Sequence, residues 1–205
     1  MLRRLALALA AAGVLALGLA ACSEADGRAL PPPKPQPTTT STTTEGASLG
    51  TTAAAGEFTL RSTAFADGGV VPERLTCTGE GVSPDLSWTG TPTDATQLAL
   101  VVRDRNEGGL VHWVVSGIDP FVQGIGEGGV PENAVEGHND AGAVGWLALC
   151  PPAGTGTHTY EVALLALPGV VVVPPDATGA QAAALLEASA GERAVLTGTV
   201  TAGDG

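Results

Sequence analysis

The few polar side chains that could do chemistry in this sequence stand inside apolar segments. The chain has three histidines and one tyrosine. Asp104 ends the apolar segment that begins at Gln97, and His112 lies within VHWVV. His158 and Tyr160 are two residues apart in THTYEVALLAL, so on a strand they point to the same side. A carboxylate, two imidazoles and a phenol in such segments indicate either hydrogen-bonded core groups or a small polar pocket.

Catalytic chemistry is not expected from these residues. Asp104, His112 and His158 could in principle supply a metal site of two histidines and one carboxylate. However, metal-ligand spacing motifs such as HExxH do not occur in the sequence. No G-x-S-x-G nucleophile motif occurs either, and Ser83 before Pro84 is typical of a turn. We therefore expect a protein that is not an enzyme and needs no metal or cofactor.

Several short segments predict the β-strands that would position these groups. Each alternates apolar and polar residues or is rich in valine and leucine, and turn-rich stretches such as TGTPTD and PPAGTG separate them. This pattern favours an antiparallel β-sandwich over βαβ units. The predicted strands cover residues 58–65, 86–88, 97–104, 111–118, 157–167 and 194–201.

One short helix is predicted near the C-terminus. Thr178 and Gln181 fit a capping box before AAALLEASA, and Gly191 stands where a glycine that ends a helix is expected. The fold class is therefore all-β dominated, a sandwich with a single helix.

The N-terminus has the features of an export signal. MLRR precedes LALALAAAGVLALGLA, an apolar run too short and too rich in alanine for a membrane span. The next residues, Leu19-Ala20-Ala21-Cys22, resemble the lipobox of bacterial lipoproteins, in which the cysteine thiol is first joined to diacylglycerol. We expect a signal peptide over residues 1–21 and lipid on Cys22, with the protein anchored outside the cytoplasm on the cell membrane. The alternative is an ordinary signal peptide or an N-terminal helix.

A linker and one folded domain are expected after the signal peptide. Residues 22–56 are rich in proline, threonine, alanine and glycine, with almost no large apolar side chain. Such a segment cannot bury enough surface to offset its chain entropy, so we predict a lipidated, disordered tether. The folded domain is predicted over residues 57–205.

The three cysteines divide by position. Cys22 is assigned to lipid, which leaves Cys77 and Cys150 as an even pair in an oxidising compartment. We predict that these two form a disulfide, and two buried reduced thiols are the alternative.

The acidic charge balance excludes one class of partner. The chain has 9 Lys and Arg against 21 Asp and Glu, and loss of Arg3 and Arg4 with the signal peptide leaves 7 against 21, or −14. Binding nucleic acid requires a basic patch, so nucleic acid is not an expected partner. Attachment to an anionic membrane must come from the lipid on Cys22.

Four blocks of sequence resemble the phosphatidylethanolamine-binding protein family, in its bacterial Raf-kinase-inhibitor-like branch. They are FTLRSTAFADGGVVPERLTCTGEGVSPDLSW, LALVVRDRNEGGLVHWVV, GHNDAGAVGW and CPPAGTGTHTYEVALLAL, in the family's order. The resemblance covers about residues 57–201. It implies a sandwich of two antiparallel sheets with a small anion-binding pocket at one end.

By position, the resemblance implies which residues form this pocket. Two adjacent strands would present the histidines and the tyrosine, with a preceding loop at Gly137 and Asn139-Asp140. Imidazole N–H and phenol O–H groups can surround a phosphate or carboxylate oxygen, while Asp104 orients a histidine or accepts from a ligand ammonium. The expected ligand-binding residues are Asp104, His112, Pro151, Pro152, His158 and Tyr160.

The sequence departs from the family pattern at the expected pocket. Arg105 and Asn106 replace a proline and a second aspartate, so the pocket is expected to lose a negative charge and gain a nearby cation. Ala148-Leu149 replaces Gly-Pro before the cysteine, and Trp146 stands where tyrosine is usual.

The residues and the family resemblance together imply three classes of function. The first is a non-catalytic envelope module that binds an anionic small molecule or a phospholipid headgroup. The second is a protein-interaction module that inhibits an envelope protease or another enzyme, because relatives act as inhibitors. The third and remote one is the metal-dependent enzyme with Asp104, His112 and His158 as ligands.

Overall fold

Nine strands and one α-helix form in the computed structural model, which describes residues 56–203. Three long strands, over residues 97–104, 111–118 and 157–167, coincide with the predicted segments, because their apolar residues are buried on both faces. The strands are β1 Thr59–Arg61, β2 Gly69–Val70, β3 Leu86–Thr89, β4 Gln97–Asp104, β5 Val111–Ile118, β6 Gly124–Ile125, β7 Val135–Glu136, β8 Thr157–Leu167 and β9 Glu192–Thr201; α1 is Gly179–Ala188, and Glu73–Leu75 form a 3-10 turn.

The strands form two sheets, as predicted for a sandwich. The smaller sheet has the order β1-β3-β6 and the larger one β2-β9-β8-β4-β5-β7. All pairs are antiparallel except β2 with β9, which is parallel. The expectation that the strands of His112 and His158 are adjacent is wrong, because β4 lies between β5 and β8 and pairs with both. Asp104 therefore belongs to the strand between the two histidines.

The larger sheet has an apolar core on each face. On the face toward the small sheet, Leu98, Leu100 and Val102 of β4 pack with both Trp88 and Trp113. On the other face, Ala99 and Val101 pack beneath the helix residues Ala182, Ala183 and Leu186. This double burial makes β4 a rigid support for the polar residue at its end.

Helix α1 begins as predicted and ends earlier than predicted. The Thr178 side chain accepts from the Gln181 amide and the Gln181 side chain accepts from the Thr178 amide, which completes the capping box. Gly191 does not end the helix. The cap is Ser189, and the Gly191 amide instead donates to Ala166 and opens the pairing of β9 with β8.

The two predictions about the cysteines concern different parts of the chain, and the structure describes only one of these parts. Cys77 and Cys150 form a disulfide with a Cα–Cα distance of 5.3 Å. The predicted signal peptide, Cys22 and the linker up to residue 55 lie outside the described residues. Among residues 56–203, no helix has the length and apolar character needed to cross a bilayer.

Candidate ligand-binding site

A buried ion pair stands where β4 ends against β8. Asp104 is opposite Tyr160 in the register, and His158 lies two residues before Tyr160 on the same side. The His158 Nδ1–H donates to Asp104 Oδ2 at 2.6 Å, with the Asp104 side chain fully buried and that of His158 nearly so. The strand pairing therefore brings together three of the predicted residues.

The second ring nitrogen of His158 contacts a loop. Its Nε2 lies 2.8 Å from Thr155 Oγ1, whose own hydroxyl donates to the Pro152 carbonyl oxygen at 2.6 Å. Because the single Thr155 proton points to Pro152, the hydroxyl can only accept from His158. Both His158 nitrogens thus face acceptors, which is the pattern of a charged imidazolium beside a carboxylate.

Asp104 also closes the turn that follows β4. Its Oδ1 accepts from the backbone amides of Asn106 at 2.8 Å and Glu107 at 3.3 Å. Burial by itself raises the pKa of Asp104, but the hydrogen bonds from His158 and Asn106 outweigh burial and hold this pKa below its ordinary value. The carboxylate is therefore ionised and paired.

The Tyr160 hydroxyl is buried and forms no hydrogen bond of normal length and angle with a described residue, but it lies close enough to the Asp104 carboxylate for each group to shift the pKa of the other. Burial and then the neighbouring Asp104 carboxylate raise the pKa of this phenol, so it remains protonated. A buried, unpaired hydroxyl is costly, and most such groups in proteins find a partner. Tyr160 therefore offers a donor that lacks a well-formed hydrogen bond next to the ion pair.

His112 reaches the site through a β-bulge. Val111 pairs with Arg103 and Trp113 with Val102, which leaves His112 as an extra residue in β5. A bulge redirects a side chain that strict alternation would send to the other face. The imidazole lies edge-on to the Tyr160 ring, with the ring centroids 5.2 Å apart.

The imidazole of His112 has one satisfied nitrogen and one free nitrogen. Its Nδ1–H donates to the Leu147 carbonyl oxygen at 3.0 Å, whereas the buried Nε2 has no partner among the described residues. Burial lowers the pKa of His112, with the Leu147 bond opposing it, so the ring is neutral and Nε2 carries a lone pair. An unused acceptor thus accompanies the Tyr160 donor.

Residues 146–152, which we call the strap, run across the site. The Leu147 amide donates to His112, the Cys77 amide donates to Leu149, and the disulfide ties Cys150 to Cys77. The Pro152 carbonyl accepts from Thr155, as described above, and the Pro152 ring is exposed while that of Pro151 is partly so. The predicted prolines therefore belong to a segment held at both ends.

The loop at 137–140 supports the fold rather than the ion pair. The buried side-chain Nδ2 of Asn139 donates to the Gly145 carbonyl, and Asn139 Oδ1 accepts from two backbone amides of its own turn. Asp140 accepts from the backbone amides of Val111 and Ala180, which joins β5 to the start of α1.

The residues that depart from the family pattern do not change the charge of the pocket in the way that the sequence predicted. Arg105 adds no cation to the pocket, because its Nε pairs with Glu161 Oε2 at 3.4 Å and Glu161 alternates to the face opposite Tyr160. Instead, the carboxylate of Glu107 lies within 4.8 Å of the ligand atoms of Asp104 and His158. The negative charge lost at Asn106 is thus replaced by a residue that the sequence pattern did not single out.

Asp104, Glu107 and His158 have the atom types of a metal site, and His112 lies outside this group. A cation there would have to displace the bonds from His158 to Asp104 and Thr155. The arrangement fits a hydrogen-bonded ion pair better than a ligand shell.

Neither of the two wide clefts in the described part contains this site. One of about 1050 Å³ lies beside Gln97, Ile118 and Phe121, at the opposite end of β4 and β5. Another of about 590 Å³ lies between β1 and β9. The polar site is instead small and covered, since Tyr160 Oη and His112 Nε2 are buried atoms.

Comparisons with known proteins agree on one family. LppC of Mycobacterium tuberculosis, which its name describes as a lipoprotein, is 43% identical over 148 residues, covering 71% of this chain and 73% of LppC. The crystal structure of CT736 from Chlamydia trachomatis, named a phosphatidylethanolamine-binding protein homologue, has a TM-score of 0.63 and 33% identity over 70% of this chain and 96% of its own. The crystal structure of YbcL from E. coli, described as a new member of the mammalian phosphatidylethanolamine-binding protein family, has a TM-score of 0.65 and 28% identity. The match covers 70% of this chain and 97% of YbcL.

The sequence model of the phosphatidylethanolamine-binding protein family matches residues 61–201, a span that includes both sheets apart from the first residues of β1 and that holds every residue of the site. This chain belongs to the phosphatidylethanolamine-binding protein family.

Proposed function

We propose that the chain is a non-catalytic binding module of the bacterial cell envelope that takes a phosphate-like or other anionic group between Tyr160 and His112. One observation carries the proposal. A hydroxyl donor and an imidazole acceptor lie on edge-on rings beside an ion pair. Both atoms are buried, and neither forms a hydrogen bond of normal geometry with a described residue. A ligand that satisfies both removes the cost of two unpaired groups.

The two free atoms indicate the chemistry of the ligand. The Tyr160 O–H donates to an anionic oxygen. The neutral His112 Nε2 either accepts a hydrogen bond from a P–OH or carboxylic O–H group or becomes protonated as the anion binds. The imidazolium of His158 balances the Asp104 carboxylate, so the pair does not repel the anion. Glu107, exposed at the edge of the site, favours a ligand with an ammonium group next to its anion.

Access to the site requires movement of a covering segment. The free atoms are buried, and the strap contacts His112 through Leu147. We infer that the part of the strap before the disulfide shifts outward as the ligand enters, while Cys150 stays tied to Cys77.

Attachment to the membrane completes the proposal. The relative LppC carries the name of a lipoprotein, and Leu19-Ala20-Ala21-Cys22 resembles a lipobox. We infer that lipid on Cys22 anchors the domain outside the cytoplasm.

Native mass spectrometry and calorimetric titration test the proposed ligand class. The first shows whether the purified protein retains a small anion. The second compares inorganic phosphate with phosphoethanolamine, which distinguishes a bare anion from a lipid headgroup. His158→Ala should weaken binding of either ligand, whereas His138→Ala, in the loop that supports the fold rather than the ion pair, should not. Absence of binding at millimolar ligand contradicts the proposal.

A further inference from the structure

The disulfide between Cys77 and Cys150 lies at the surface of the protein. Both cysteine residues are exposed, Cys77 in the turn that follows residues 73–75 and Cys150 in the strap. A disulfide is broken by a thiolate that attacks one of its sulfur atoms, so exposed disulfides are reduced more readily than buried ones. A dithiol in solution therefore has access to this bond in the folded domain.

The strap residues just before Cys150 are attached independently of the disulfide. The Leu147 amide donates to the His112 carbonyl at 2.8 Å, and the Leu147 carbonyl accepts from His112 Nδ1 at 3.0 Å. Leu149 is buried in the core, and its carbonyl accepts from the Cys77 amide at 3.1 Å. Reduction therefore leaves the strap attached at Leu147 and Leu149 and releases the part that begins at Cys150.

The part of the chain that begins at Cys150 contacts both halves of the site. The Cys150 backbone amide lies close enough to the Tyr160 hydroxyl to lower the pKa of this phenol, although burial outweighs that effect. Two residues further on, the Pro152 carbonyl accepts from Thr155, whose hydroxyl also contacts His158 Nε2. The disulfide therefore restrains the segment that lies between the Tyr160 donor and the imidazolium of His158.

This restraint affects the strength of ligand binding. A ligand binds more tightly when the groups around it are already held in the bound arrangement. Without the disulfide, the segment from Cys150 to Thr155 gains conformational freedom, and it must lose that freedom again when a ligand enters beside Tyr160. The affinity of the site is therefore lower in the reduced protein.

We propose that the Cys77–Cys150 disulfide is a redox switch of the anion site, which binds its ligand tightly when the bond is formed and weakly when a protein dithiol outside the cytoplasm has reduced it. The switch rests on the proposed function, because it regulates that same site.

The reduction is a thiol–disulfide exchange. A thiolate of the dithiol attacks one sulfur of the disulfide, which forms a mixed disulfide, and the other cysteine leaves as a thiolate and takes up a proton. The second thiol of the reductant then loses its proton and attacks the mixed disulfide, which releases the remaining cysteine. Two electrons have passed to Cys77 and Cys150, and the dithiol has become a disulfide.

Amide hydrogen exchange tests whether reduction acts locally. The full chain carrying Cys22→Ala, which has Cys77 and Cys150 as its only cysteines, is compared before and after reduction with dithiothreitol. Exchange should become faster over residues 150–156 and stay slow in β4 and β8. Unchanged exchange over residues 150–156 overturns the proposal, and so does fast exchange throughout the domain, because the bond would then be a structural crosslink only.

Calorimetric titration with phosphoethanolamine tests the effect on the site. The reduced protein should bind about tenfold more weakly than the oxidised protein, and reoxidation should restore the affinity. Cys77→Ser combined with Cys150→Ser should bind like the reduced protein, with or without dithiothreitol. Equal binding by the oxidised and reduced proteins overturns the switch alone, whereas absence of binding by both contradicts the proposed function and the switch together.

The same coupling predicts an effect of the ligand on the disulfide. A ligand that binds the oxidised form tenfold more tightly makes the bond harder to reduce, so saturating phosphoethanolamine should lower the reduction potential by about 30 mV. Equilibration with mixtures of reduced and oxidised dithiothreitol measures this potential. Ethanolamine, which has no phosphate, is the control and should leave the potential unchanged. No shift with phosphoethanolamine, or an equal shift with ethanolamine, overturns the proposal.

Discussion

The imidazole of His158 on β8 donates to the carboxylate of Asp104 on the neighbouring strand β4, Nδ1 to Oδ2, over 2.6 Å. The two side chains are buried, and the second nitrogen of His158 meets Thr155. The pair therefore joins the end of β4, in the larger sheet, to the loop that follows the strap. Removing one partner leaves an unpaired buried charge.

Asp104→Asn should lower the free energy of unfolding by about 3 kcal/mol at neutral pH, the scale seen when one partner of a buried pair is lost. Because the folded pKa of Asp104 lies below its ordinary value, its contribution is complete above the unfolded pKa of about 3.9 and is lost as pH falls through the folded pKa. Urea unfolding from neutral to acid pH measures this slope. The exposed Asp94→Asn serves as control, and a similar profile for both variants would disprove the role of Asp104.

Anion binding should become stronger as the pH falls to about 6.5, the ordinary pKa of histidine, and below it. Burial lowers the pKa of free His112, and a bound anion raises it, so binding takes up a proton. Calorimetry in buffers of different ionisation enthalpy counts that proton. The His112→Gln variant should still bind the anion, but it should take up no proton beyond those that the ligand itself binds. Equal uptake in wild type and variant would remove His112 from the site.

Loss of the disulfide should cost roughly 4 kcal/mol of stability in the chain-entropy model. Cys77 and Cys150 are 73 residues apart in sequence, and their bond closes that loop. Urea unfolding of Cys77→Ser with Cys150→Ser, compared with wild type, measures the loss. Two titratable thiols in the denatured, unreduced wild type would show instead that the bond does not form.

Cys22→Ala should leave the protein without lipid and release it from the membrane. The basis is the resemblance of Leu19-Ala20-Ala21-Cys22 to a lipobox. Metabolic labelling with a fatty-acid analogue, followed by fractionation, measures both effects. Label and membrane retention in the variant would contradict the lipobox interpretation.

The sequence predicted the long strands and the helix start because their signals are local. The bounds of β4, β5 and β8 equal the predicted segments, and the capping box at Thr178 forms. The two-residue strands β2, β6 and β7 were not predicted, since two residues show no period. The prediction that Gly191 ends the helix was wrong, because a glycine near a helix end can also precede a strand. Here the Gly191 amide donates to Ala166, next to the first residue pair of β9 and β8.

The site was predictable only where strand alternation applies. Alternation put His158 and Tyr160 on one side, and the positions of Asp104 and His112 in apolar segments marked them as candidates. The resemblance implied that the four residues share one pocket. The bulge that turns His112 toward Tyr160 depends on pairing across strands, which periodicity along one strand cannot show.

Thr155 and Glu107 reach the ion pair from turns. Turn residues carry no periodic signal, so neither could be distinguished beforehand from other residues of polar loops.

Tyr160→Phe tests the central claim most directly, through stability and affinity measured on the same variant. The Tyr160 hydroxyl forms no hydrogen bond of normal geometry with a described residue and interacts only weakly with Asp104, so its removal should change the free energy of unfolding by no more than about 1 kcal/mol. The same change should weaken binding of phosphoethanolamine by about 1 to 2 kcal/mol, roughly five- to thirtyfold. A variant that is less stable and binds phosphoethanolamine as well as the wild type would contradict the account.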